Sequence, residues 1–96
     1  MATLIQADGK KSEVHPKDAA NGFSLQELYA LIGCETVQMV YLADDRRMMW
    51  MDEESKLKPG PYHVNAEATR LLAEAGGIPG DEVIGNVLIA EPDEVR

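Results

Sequence analysis

RRMMWMDEES, residues 46–55, places the strongest constraint on how this chain can fold. Four large apolar residues stand in a row between two arginines and three consecutive acids, and they include the only Trp and three of the five Met. Just before them lies ETVQMVYL, residues 35–42, rich in the branched and aromatic residues that suit strands. With Asp44 and Asp45 as the turn, the two stretches form a hairpin in which Tyr41 meets Met48, Val40 meets Met49 and Met39 meets Trp50. One face then carries Val37, Met39, Tyr41, Met48 and Trp50, and the other Val40, Leu42, Met49 and Met51. A ribbon with one solvated face alternates apolar with polar residues, whereas this one is apolar on both. Burying each large side chain contributes about 1.5–3 kcal/mol, so a small domain can hardly leave them in water. Three coverings fit: the helices on opposite faces, a second copy of the chain, or a ligand.

Outward from the ribbon, SLQELYALIG begins with a capping box, Ser24 and Glu27, and ends at Gly33, which suits a left-handed C-terminal cap. Leu25, Leu28, Tyr29 and Ile32 recur at helical spacing and predict one stripe packed on a sheet. Asn65 caps a second helix, AEATRLLAEAG, with Ala68, Leu71, Leu72 and Ala75 facing one way and Gly76-Gly77 ending it. At the N-terminus, ATLIQA (2–7) and SEVH (12–15) flank Asp8-Gly9 and read as a hairpin. EVIGNVLIA (82–90) is a strand in which Gly85 marks a bulge or close approach. The order β-β-α-β-β-α-β predicts a single α+β domain over 1–96, with a mixed or mainly antiparallel five-stranded sheet packed with two helices.

Seventeen acidic residues against nine basic give a net charge of −8, which disfavours general binding to nucleic acid and to anionic membranes. No apolar run approaches the roughly 20 residues of a membrane span. The single Cys34 and a start, MATLIQADGKK, without the pattern of a leader lead one to expect the protein in the cytoplasm.

Catalytic constellations are hard to assemble from this chain. Asp52, Glu53 and Glu54 lack the D-x-D-x-D-G pattern of a calcium loop, and His15 and His63 lack zinc spacing, so no metal and no cofactor are expected. Cys34 follows a helix C-terminus, whose dipole disfavours a thiolate, and no Ser lies in a nucleophile motif. GGIPGDEVIGN is a set of turns rather than a phosphate loop. The cations are more suggestive. Arg46, Arg47, Lys56, Lys58 and Arg70 could converge beside Trp50, Tyr41 and Tyr62, a combination suited to an anionic, base-bearing small molecule. Alternatively, charges at a strand edge simply discourage aggregation.

The succession SLQELYALIGCETVQMVYLADD, DEESKLK, NAEATRLL and EVIGNVLIAEP resembles an uncharacterised family of small proteins from phages, plasmids and other mobile elements, domain of unknown function 3846. Gly33-Cys34 stands where that family has Gly-Gly, and Asp52 to Leu57 where it has an NEEGKL-like loop. The resemblance implies a mobile-element origin and a small α+β domain, and it brings no catalytic residue.

The reading is a non-enzymatic binding protein that occupies a host protein or sequesters a nucleotide messenger to counter host defence. Its ligand contacts are expected at Arg46, Arg47, Trp50, Tyr41, Lys56 and Tyr62, and its interface, to a partner or in a homo-oligomer, at Met39, Met48, Met49, Trp50 and Met51. The rivals are a metal-assisted nucleotide hydrolase using Asp52, Glu53 or Glu54 with His63, and an acidic DNA mimic.

Overall fold

The computed structural model describes residues 2–43, 46–55, 63–77 and 82–95. Along them run β1 (Ala2–Ile5), β2 (Lys11–Val14), α1 (Leu25–Ile32), β3 (Val37–Tyr41), β4 (Met48–Asp52), α2 (Ala66–Glu74) and β5 (Val87–Ala90), followed by a 3-10 turn, Pro92–Glu94. The strands form one antiparallel sheet in the order β2-β1-β5-β4-β3. The last strand in sequence is the central one. Its four residues, VLIA, are all buried, as a strand covered on both faces requires. KSEV of β2 is largely exposed and takes an edge.

The hairpin register is the one the ribbon's pattern predicts: Met39 opposes Trp50, Val40 opposes Met49 and Tyr41 opposes Met48. The Leu42 amide donates to the Arg47 carbonyl at 2.9 Å, while the Asp44-Asp45 turn lies outside the described residues. At the N-terminal hairpin, Gly9 takes φ +95°, a left-handed conformation that glycine adopts without a Cβ penalty.

The helices lie on opposite faces of this sheet. On one side Leu42, Met49, Met51, Val87, Ile89 and Ile5 pack with Ala68 of α2, and Leu71 and Leu72 close over them. On the other, Ala2, Leu88 and Ala90 pack with Leu28 and Ile32 of α1, with Val37 and Trp50 at the margin. The first of the three coverings therefore accounts for most of the ribbon's apolar surface.

Both helix starts follow their sequence signals. The Ser24 hydroxyl accepts from the Glu27 amide at 3.3 Å and the Glu27 carboxylate from the Ser24 amide at 3.1 Å, while Gly33 ends α1 in the left-handed region. The expected α1 stripe needs one correction. Leu25 is 49% exposed, and Leu31 joins the core instead. Leu25 is the first residue of the helix, and the buried positions, Leu28 and Ile32, lie further along it.

The final strand is shorter than the expected 82–90. Gly85 at φ +86° breaks it, and the preceding residues turn to the segment before α2, where Ile84 bridges Val64 and the Gly85 amide donates to the His63 carbonyl at 2.9 Å. After β5 the chain folds back over α1's side, where the Phe23 amide donates to the Glu94 carbonyl at 2.7 Å and Phe23 bridges Val95. Gly22 permits this approach, because a Cβ there would overlap the Glu94 carbonyl.

Candidate functional site

The coverage of the sheet is uneven. A helix is about 10 Å across and neighbouring strands are about 4.8 Å apart, so α1 can roof two or three strands. It sits over β5 and β4. Phe23 and Val95 extend the roof to Ala2 and Val14, on β1 and β2. Among the described residues nothing comparable extends it toward β3. Tyr41 is 54% exposed and Met39 only partly buried, on the same face as the partly buried Trp50.

β3 is also an edge in its hydrogen bonds. The Leu42–Arg47 bond at one end and the Glu53 amide to Thr36 carbonyl bond, 3.3 Å, at the other fix the alternation. Even-numbered residues of the strand bond to β4, so the main-chain groups of Val37, Met39 and Tyr41 point away from the sheet. No described strand lies beyond them.

The residues singled out for ligand contact separate into groups. Tyr41, Arg46 and Arg47 do share the hairpin end of this open edge, and both arginines are exposed. Arg46 donates to Glu91 at 2.8 Å, an exposed ion pair of the kind that contributes little and puts a carboxylate where an anion would sit. Trp50 leans into the α1 core, and its indole N–H is buried without a hydrogen-bond partner, so it offers a ligand no polar handle. Arg70 lies on α2, across the sheet, where Glu67 and Glu74 each accept from it at 2.6 Å. Hydrogen bonds from Lys11 and Arg70 hold the Glu67 carboxyl below its usual range, and the same Glu67 contact pushes the Arg70 guanidinium upward. Lys56, Lys58 and Tyr62 lie outside the described residues.

The five interface residues divide by face and depth. Met49 and Met51 are buried under α2, and Met48 is buried between Ala90 and Tyr41 in its cross-strand row. The reason is the strand order: β4 is an interior strand, flanked by β5 and β3, so its apolar residues go to the core. The surface available to a partner is Met39 with Tyr41, backed by Trp50.

The remaining polar clusters serve local structure. The Glu54 amide donates to the Asp52 carboxylate at 2.9 Å, and the Thr36 hydroxyl donates to Glu54 at 3.3 Å. Among the described residues no group of three His, Cys, Asp or Glu is placed to hold a metal. His63 lines a shallow cleft of about 660 Å³ with Gln6, Ala7, Asp8, Val64 and Asn86. At the cleft the side-chain Oδ1 of Asn86 accepts from the Ala7 amide at 3.1 Å. Asn65 does more than its sequence context suggests. Fully buried, it caps α2 by accepting from the Ala68 amide at 3.0 Å and donates to the carbonyls of Ile5 (3.0 Å) and Gly85 (2.9 Å). Only the capping half of that role is legible locally, because the carbonyl partners lie 60 and 20 positions away.

A family model described as Domain of unknown function (DUF3846) matches residues 1–96, the whole chain. Neither a curated protein nor a solved structure matches it.

Proposed function

We propose, from the premise that this chain belongs to the DUF3846 family along its whole length, that the protein is a non-enzymatic binding protein of phage or mobile-element type that counters host defence by occupying a host protein. The observation that carries this reading is the corner of the sheet at which Tyr41 is exposed and Met39 only partly buried, on a strand beyond which no described strand lies. Aromatic and Met side chains at an incompletely covered sheet corner suit a protein surface.

The nucleotide version draws less support from the geometry. Arg46 already faces Glu91, and the Trp50 ring is committed to the core. Calorimetric titration separates the two. Cyclic dinucleotides and ADP-ribose derivatives should produce no heat, and incubation of candidate nucleotides with the protein and magnesium or manganese should produce no turnover. Heat that disappears in Arg46→Ala and Arg47→Ala would replace the protein partner with a nucleotide, and turnover would make the protein an enzyme. No helix among the described residues is long and apolar enough to cross a membrane.

A further inference from the structure

Natural sheets protect their edges with charge, proline, bulges or a covering element. β2 follows that rule: Lys11 and Glu13 sit within its four residues, and Lys11 is tied to Glu67 of α2 at 2.8 Å. β3, VQMVY, carries neither charge nor proline, and no described strand pairs with its outer edge. It is a regular strand, paired in unbroken register with β4 on one side. Its outward main-chain groups belong to Val37, Met39 and Tyr41, a set symmetric about Met39.

We infer that β3 is completed by β3 of a second copy, running antiparallel about a two-fold axis at Met39, and that the binding surface is whole only in this dimer. This rests on reading the Met39–Tyr41 corner as the binding surface. In that register Met39 opposes Met39 of the second copy and Val37 opposes its Tyr41. All three are hydrogen-bonded pairs, so each outward amide and carbonyl finds a partner. The charges at the two ends of the ribbon also favour one direction. One end bears Glu35, Glu53 and Glu54, all exposed, whereas at the hairpin end Arg46 and Arg47 offset Asp44 and Asp45 in the sequence. An antiparallel pairing keeps the two acidic ends apart, whereas a parallel one would set them against each other. On the α1 side the row formed by Trp50 and Met39 continues into Met39 and Trp50 of the second copy, making one apolar strip between the two α1 helices. A host protein would then meet the side chains of this strip from both copies, the main-chain edge being taken by the dimer.

The test is the mass of the full chain in solution by light scattering, with Met39→Lys and Met39→Glu variants. The unaltered protein should show twice the chain mass. Each variant alone should fall to the single-chain mass, because like charges face each other across the axis. An equimolar mixture of the two should regain the double mass, which shows that both variants are folded. Met39→Cys should be linked to its copy by a short bifunctional thiol reagent, since the paired Cα atoms would be about 5.5 Å apart. Ser12→Cys, on the other edge, should not. A single-chain mass for the unaltered protein at every concentration overturns the dimer but leaves the binding reading to its own calorimetric test. A dimer indifferent to both charge variants, or a mixture that stays monomeric, overturns the β3 pairing.

Discussion

Met49 and Met39 stand on adjacent strands of one ribbon, on opposite faces, and their surroundings differ completely. Met49 is fully buried beneath α2, whereas Met39, at the sheet edge, is roofed only in part. Residue type does not explain the difference; position does. β4 is an interior strand and β3 a terminal one, so the same apolar side chain serves the core in one place and remains available to a partner in the other. The α2 side of the sheet is sealed by Ala68, Leu71 and Leu72 and anchored through Asn65. The α1 side is sealed from β2 to β4 and, among the described residues, is least covered at the Met39–Tyr41 end of β3.

The sealed side can be broken most directly at Asn65. Asn65→Ala removes a helix cap and leaves two carbonyls without their donor, and about 3–5 kcal/mol of stability should be lost in urea unfolding. A loss below about 1 kcal/mol would mean that α2 is not held through this residue. Met49→Ala comes next, with a loss of about 2–5 kcal/mol from transfer and cavity terms. Met39→Ala, in dilute solution, should cost under about 1 kcal/mol, and equal costs for the two Met substitutions would remove the contrast between the faces.

Trp50 tests the boundary between sealed and open. Trp50→Phe gives up some apolar area but also removes a buried N–H that has no partner, a group that costs about 1–3 kcal/mol. Stability should stay within about 1 kcal/mol of the parent, and a larger loss would show that the indole donor is satisfied in solution. The smallest effect belongs to the exposed link between β2 and α2. Glu67 has its folded-state pKa depressed by Lys11 and Arg70, so its contribution is present above the ordinary glutamate value of 4.5 and is lost as pH falls through the depressed one. Denaturation midpoints measured across that acidic range should fall less steeply for Glu67→Gln than for the parent.

The ribbon was the most legible part of the chain. A strict two-residue alternation leaves one register in which both apolar sets line up, and the observed pairing of Met39 with Trp50 is that register. Capping residues were equally clear, since Ser24, Glu27 and Gly33 act within a few positions of one another. Leu25 shows where local periodicity stops being informative: the first turn of a helix satisfies the spacing whether or not a sheet lies beneath it. Arg46 and Arg70 show the same limit for charge. Their acidic partners, Glu91 for Arg46 and Glu67 and Glu74 for Arg70, determine what each can bind, and Glu91 is 45 positions from Arg46.

By itself the sequence determined the element order, the α+β class, the helix caps and the two-faced apolar ribbon, because each follows from interactions between near neighbours or from the period of the side chains. It took long-range packing to make β5 central, to put the helices on opposite faces and to leave Tyr41 and Met39 as the least covered apolar side chains of the ribbon's α1 face. Those outcomes depend on which distant segments share the limited area of one sheet. A helix roofs only two or three strands, and which strand is left over is not encoded in any single stretch of the chain.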